Sequence, residues 1–218
     1  MSKYSWSQFN KKNIKLAHEM DNFNKKFKIN FFENELYNHV RDIFALSILI
    51  LKKKTKKNIL DYGSNLASLA NFSSKIDQKK LKFFIYDPFA KKKIANSKRF
   101  KLKILNKNLF NYKFDLVHFG SSIQYIKKLD EIEEVLNFKT TKLVVITNTP
   151  ITFKKEFNCT QKNHSKLTQF IHNMSNIERF FLNKKFHLIF KSRNDDKYIA
   201  CKQKQKNTYS LNLIFQKN

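Results

Sequence analysis

At 218 residues with 41% apolar side chains, the sequence is sized for one domain with a sizeable core and leaves no room for a second full domain. Its formal charge of +27 raises nucleic acid or an anionic surface as partner, but only four of the 44 basic residues are arginine (Arg41, Arg99, Arg179, Arg193). The lysines are dispersed, and lysine, asparagine, isoleucine and phenylalanine are over-used together, which reads as AT-rich coding and a solvated basic surface rather than a nucleic-acid footprint.

The opening MSKYSWSQFNKK carries no apolar run of signal-peptide length, and the most apolar stretch, residues 43–51, falls far short of the roughly 18 residues a membrane span needs. A cytoplasmic location without a membrane span is expected. Cys159 and Cys201 lack metal-ligand spacing, so no metal site is expected and both are read as reduced thiols.

In chain order, the first 50 residues read as helical, with Leu36, Val40, Ile43, Phe44, Ser47 and Leu51 recurring every three or four positions on one apolar stripe. After a basic break at 52–57, strands are predicted at 58–60, 81–86, 102–105, 114–119 and 143–147, separated mostly by helix-length segments. Such spacing predicts a parallel sheet with right-handed crossovers. Ser175 with Glu178 forms a candidate capping box for a helix reaching Leu182, and 186–190 with 209–215 form a final strand pair, which 198–201 is placed to join. No linker or internal repeat divides the chain.

The chain has two glycines and two prolines, and Gly63, Pro88, Gly120 and Pro150 each fall just past a predicted strand. Backbone punctuation therefore gathers at the carboxyl ends of the sheet, the edge at which open α/β sheets bind ligands.

Three segments at that edge carry candidate chemistry. In Asp61-Tyr62-Gly63-Ser64, followed by Ala67 and Ser68, small residues let a ligand approach the backbone, helix-start amides suit a carboxylate, and Asp61 suits an ammonium. A ligand bearing both groups is an amino-acid moiety; the G-x-G-x-x-G pattern that cradles a pyrophosphate is absent, and a merely compact strand-to-helix turn is the alternative. Asp87, preceding Pro88 and 26 residues after Asp61, ends the second strand as a carboxylate able to accept from both ribose hydroxyls. Together the two acids outline a site for adenosine plus an amino acid, the shape of S-adenosylmethionine. The third segment runs from Phe114 to Ile126 and delivers His118, a candidate general base, ahead of a polar loop from Gly120 to Tyr125. A hydrogen-bonded core histidine is the plainer reading of His118.

The order of the D-x-G turn, the strand-terminal Asp87, FDLVHFGSSIQYI and an acidic helix at 130–136 resembles a family of class I S-adenosylmethionine-dependent methyltransferases found among bacterial surface-polysaccharide genes. The likeness runs from about Tyr37 onward and is most specific at HFGSSIQYI, similar to that family's "FGSSLQYI". Thr147-Asn148-Thr149-Pro150 resembles the segment after the fifth strand, with Asn148 where the family usually has arginine, and Thr160-Gln161 resembles a downstream glutamine motif. Ser64 and Ala67 stand where the family's D-x-G-G-x-x-G loop has its second and third glycines.

The resemblance implies a Rossmann-like, doubly wound, mostly parallel α/β sheet with a C-terminal antiparallel strand pair and a helical N-terminal extension. It divides the chain into a helical segment, 1–57, that packs on the core, and a methyltransferase-like unit, 58–218. It implies S-adenosylmethionine as cofactor with Asp61, Gly63 and Asp87 as contacts; the neighbouring Tyr62, Ser64, Pro88, His118, Phe119 and Gly120 complete the expected cofactor site. The acceptor pocket implied is the loop of Ser121, Ser122, Gln124 and Tyr125, and Asn148, in place of the family's arginine, is expected to line it too. The acceptor expected is a small molecule or glycan precursor methylated on oxygen; an RNA methyltransferase, or a silent binding protein whose altered glycine loop no longer holds the cofactor, are the alternatives.

Overall fold

The computed structural model describes residues 35–51, 55–63, 80–86, 102–105, 109–161, 164–193 and 208–218. Nine strands form one sheet: β1 (Lys57–Tyr62), β2 (Leu81–Tyr86), β3 (Leu102–Leu105), β4 (Leu116–Gly120), β5 (Leu143–Thr152), β6 (Phe157–Gln161), β7 (His164–Asn173), β8 (Phe186–Arg193) and β9 (Thr208–Lys217). The order β3-β2-β1-β4-β5 is parallel throughout; β9 lies antiparallel on β5, and β8 antiparallel on β9. This is the predicted mostly parallel sheet with a C-terminal antiparallel pair. Ile59, Leu60, Leu116, Val117 and Phe119 are fully buried, as strands covered on both faces require, whereas β8 alternates between covered and open positions as an edge strand does.

Period-two alternation sorts the strands onto two cores. On one face, Ile43, Phe44, Ile48 and Leu51 of α1 (Glu35–Ile50) and the turn after it pack on Ile59, Phe83, Leu116, Val145 and Ile214. From Ile43 to Leu51 the predicted stripe is thus the packed one, and its buried serine, Ser47, satisfies its hydroxyl on Ile43 O at 2.8 Å. On the other face, α2 (Glu131–Val135) and α3 (Met174–Leu182) cover Leu60, Val117, Phe119, Val144, Leu213 and Phe215. Phenylalanines knit that face: Phe181 meets Phe138, Phe186 and Phe215 at ring-centroid distances of 6.1, 6.2 and 4.7 Å. Truncating one such side chain to alanine costs about 3–5 kcal/mol.

Four sequence expectations are corrected. The fourth strand starts at Leu116 rather than 114, because Asp115 ties the amino ends of three strands: its carboxylate accepts from Asn58 N, and its carbonyl from Lys142 N and Leu143 N. The fifth runs on to Thr152, so Pro150 lies inside it. Pro150 falls between Thr147, the last residue paired with β4, and Ile151, the first paired with β7, where a missing N–H is tolerated. The Ser175–Glu178 box is replaced by Asn173, whose Oδ1 accepts from Ser175 N at 2.7 Å as the N-cap of α3. Cys159 is buried and disulfide-bonded rather than a reduced thiol; Cys201 and the 198–201 segment lie outside the described residues.

The β6–β7 hairpin was not expected from the sequence. Its β7 strand pairs in parallel with Ile151 and Thr152, while β9 occupies the opposite edge of β5 at the same residues. The hairpin therefore continues the line of β4 beyond its carboxyl end, beside the loop that leaves β4.

Candidate functional site

Parallel register brings Asp61 of β1 beside His118 of β4, and β5 presents Thr147 opposite Gly120. The three polar side chains form one buried chain across the sheet: His118 Nδ1 lies 2.8 Å from Asp61 Oδ1, and Nε2 lies 2.8 Å from Thr147 Oγ1. A carboxylate only accepts, so Nδ1 carries the proton given to Asp61, and in a neutral ring Nε2 accepts from the threonine hydroxyl. The Phe44 ring from α1 covers the imidazole at 4.9 Å. Both nitrogens are thus engaged and neither is open at the edge, so His118 orients Asp61 and does not stand as a free base in this arrangement.

Asp61 Oδ2 is buried and has no hydrogen-bond partner among the described residues, and Gln124 Oε1 is in the same condition. A buried acceptor without a donor costs about 1–3 kcal/mol, and each such group in a native structure calls for a partner. Both belong to segments that meet at the carboxyl edge of the sheet.

The backbone there is unusually shaped. Gly63 turns the chain with φ 72°, its N–H donating to Tyr86 O at 2.7 Å, a conformation that favours glycine. Ser121 and Asn148, at the ends of β4 and β5, both adopt positive φ, 52° and 50°. They are tied together: Ser121 Oγ donates to Asn148 O at 3.0 Å, and Ser121 N to Thr147 O at 2.9 Å. Asn148 is fixed from the far side by Asn212 Oδ1, which accepts from its N–H, and by Ser210 Oγ, which donates to its Oδ1. Strained residues held by this many bonds are characteristic of binding edges.

Ser122 Oγ donates to Tyr62 O at 2.7 Å, locking the β4 loop onto the β1 turn. Tyr62 and Phe119 pack their rings together at 5.1 Å in the core, so backbone is what they offer the edge, and burial pushes the Tyr62 phenol well above its ordinary pKa. Gly120 is required by space: a β-carbon there would lie 2.8 Å from His118 Cε1. Tyr125 is half-buried beside the core. Ser64, Asp87 and Pro88 lie outside the described residues.

The structure thus brings together Asp61, Gly63, His118, Gly120, Ser121, Ser122, Gln124 and Asn148. Sequence reasoning missed Thr147 as the second partner of His118, and it missed His172, whose Nε2 lies 2.7 Å from Ile126 O and pins the hairpin to the end of the loop.

No protein-family model matches the chain, and no curated protein matches it significantly. Solved structures do match in fold. One is 1,6-didemethyltoxoflavin-N1-methyltransferase of Burkholderia thailandensis, with bound 1,6-didemethyltoxoflavin and S-adenosylhomocysteine: TM-score 0.58 and 10% identity over 93% of this chain and 87% of that one. Magnesium protoporphyrin IX methyltransferase of Synechocystis, with bound S-adenosylhomocysteine, aligns at TM-score 0.53 and 10% identity over 93% and 95% of the two chains. The N-methyltransferase NodS of Bradyrhizobium japonicum, also in complex with S-adenosylhomocysteine, aligns at TM-score 0.50 and 12% identity over 94% and 98%. The chain has the Rossmann-like fold of the class I S-adenosylmethionine-dependent methyltransferases. No helix among the described residues is long and apolar enough to cross a membrane.

Proposed function

We propose that this chain is an S-adenosylmethionine-dependent methyltransferase whose acceptor is an oxygen of a sugar or surface-polysaccharide precursor, with residues 58–218 as the catalytic unit and 1–57 as a segment packed against it. The observation that carries the cofactor reading is the buried, unpartnered Asp61 Oδ2 at the carboxyl edge of a methyltransferase-type sheet. An ammonium group is the partner such an oxygen suits, and Gly63 at φ 72° puts no side chain between a ligand and the backbone, so the residues present fit the amino-acid end of the cofactor. Asp87 is the residue assigned to its ribose, with Ser64, Pro88 and the backbone of Tyr62, Phe119 and Gly120 completing the cradle. The sugar acceptor rests on the resemblance of HFGSSIQYI to the polysaccharide-gene family.

When bound, S-adenosylmethionine supplies an electrophilic methyl group on sulfur. This chain supplies position. His118 holds the Asp61 carboxylate in one orientation, Thr147 holds His118, and Ser122 fixes the loop to the β1 turn. Ser121, Gln124, Tyr125 and Asn148 then line the acceptor side. Holding reacting groups in line accounts for about 7–11 kcal/mol of barrier in favourable cases, which suits a site whose histidine is committed to orientation.

An RNA acceptor draws little support from the aromatic residues. Bases stack on exposed rings, and among the described phenylalanines only Phe110 and Phe153 are exposed.

The test is calorimetric titration with S-adenosylhomocysteine. Micromolar affinity is expected for the wild type, with a loss of about tenfold or more, equivalent to about 1.4 kcal/mol, in Asp61→Asn and in Asp87→Ala. Folding of Asp61→Asn should stay within about 1 kcal/mol of wild type, because the amide oxygen still accepts from His118 and a buried charge is removed. A folded wild-type protein that gives no heat would overturn the reading.

A further inference from the structure

A cleft of about 370 Å³ opens beside the loop leaving β4. One wall is Lys127 and Lys128, directly after that loop; another is Asn176, Arg179 and Asn183 on and just beyond α3, with Lys184 at the rim. Glu156 and His172 from the hairpin close the third side. The volume is at the small end of sites that take a small ligand.

The charges do not cancel. Glu156 is already occupied: its Oε1 accepts from Asn173 N at 3.0 Å and faces His172 Nδ1 at 3.7 Å, and the neighbouring His172 ring is the main cause holding its carboxyl down at about 2. Lys184 pairs with Glu133 at 3.0 Å and lies over the Phe180 ring. Asp130 is the one further acid on the lining, against Lys128 and Arg179. Arg179 gives one guanidinium nitrogen to Asn176 Oδ1 at 2.6 Å, which orients the fork and leaves its remaining donors unused among the described residues. With only four arginines among 44 basic residues, coding bias alone accounts for lysine at such a place and not for arginine. A planar fork beside an ammonium is the donor set for a phosphate or carboxylate, and the Asn183 amide on the same lining suits a hydroxyl group.

We propose that this cleft is an anion subsite for the acceptor: Arg179 and Lys128 hold a phosphate or carboxylate of a small hydroxylated molecule whose reacting oxygen lies at the adjoining loop, residues 121–125. Its role toward an acceptor rests on the methyltransferase reading; the anion site itself does not. The cleft lies beyond the loop from Asp61 and Gly63, so cofactor affinity is independent of Arg179.

The test is a titration of the whole chain with inorganic phosphate at constant ionic strength, followed by backbone amide shifts, with a parallel titration by acetate. Saturable shifts confined to residues 127–130 and to α3 are expected, and the tighter anion names the group. Arg179→Gln should weaken binding roughly fivefold or more, the loss of a charge-assisted bidentate contact. Lys191→Gln, removing an exposed lysine on β8, should leave it unchanged, and S-adenosylhomocysteine affinity should be equal in Arg179→Gln and wild type. Non-saturating shifts spread over surface lysines, or equal weakening by both variants, would overturn the proposal, as would a short oligouridylate that displaces phosphate and holds the cleft more tightly. If phosphate saturates the cleft while S-adenosylhomocysteine fails to bind the wild type, the anion site stands and the methyltransferase reading falls.

Discussion

Replacing Gly120 by alanine probes the polar chain without touching any of its members. A methyl group there lies 2.8 Å from His118 Cε1 and 3.4 Å from Nε2, well inside the roughly 3.5–4.0 Å of a normal carbon contact. The ring has no inexpensive way out: each nitrogen is held at 2.8 Å, and Phe44 covers its face. Either the ring stays and is overpacked, at about 1–3 kcal/mol, or it moves and a buried partner is stranded, at a similar about 1–3 kcal/mol. A loss of about 2 kcal/mol is expected, lowering Tm by about 4–8 °C in a chain of this size. Urea and thermal unfolding of Gly120→Ala, His118→Ala and the double variant would measure it. With the ring removed, the added methyl meets open space, so the double variant should be no less stable than His118→Ala, giving a coupling of about 2 kcal/mol. A Gly120→Ala protein as stable as wild type, or one that loses the same amount in both backgrounds, would refute the packing argument.

Asn173→Ala should cost about 1–2 kcal/mol in thermal unfolding, since it removes the N-cap of α3 together with a bond to Lys154 O; a variant of wild-type stability would show that the cap carries nothing. Glu156 has a folded pKa of about 2 against an ordinary 4.5, so its contribution is present above pH 4.5 and lost as pH falls toward 2. Glu156→Gln should therefore be less stable than wild type at neutral pH, by about 1 kcal/mol or less given the partial exposure, and the gap should close on acidification; a pH-independent gap would deny the ionic contribution. Lys185, at φ 66° just past α3, should gain about 1 kcal/mol on conversion to glycine, read as a higher urea midpoint.

Much of the sheet was legible because its parallel strands are short, mostly apolar runs bounded by charged or turn residues. The runs ending at Tyr86 and Leu105 have the bounds read from sequence, and the α1 stripe packs as its spacing implied. The hairpin was not legible. Gln169, Phe170, Ile171 and His172 are all buried, so β7 shows neither the alternation of a half-covered strand nor the continuous apolarity of a central one. His118 was legible as a residue at the edge and, on its plainer reading, as a hydrogen-bonded core histidine; its partners were not legible, because they lie 57 and 29 residues away and only the strand order brings them to its two nitrogens. The cleft was hidden for the same reason: lysines at 127–128 look like any other pair until the hairpin and α3 close around them.

Ser121, Asn148 and Lys185 occupy left-handed backbone, the conformation at which glycine is the inexpensive residue. At Ser121 and Asn148 the cost of that conformation is offset by hydrogen bonds that hold the two turns together and fix Asn148 from β9. Gly63 and Gly120 have no such substitute in this structure. One sits at φ 72° and the other against the His118 ring, and these two glycines, the full number in the sequence, both border the carboxyl edge of the sheet. The chain's economy with glycine thus stops at that edge, where the backbone angle in one case and the space in the other leave no room for a side chain.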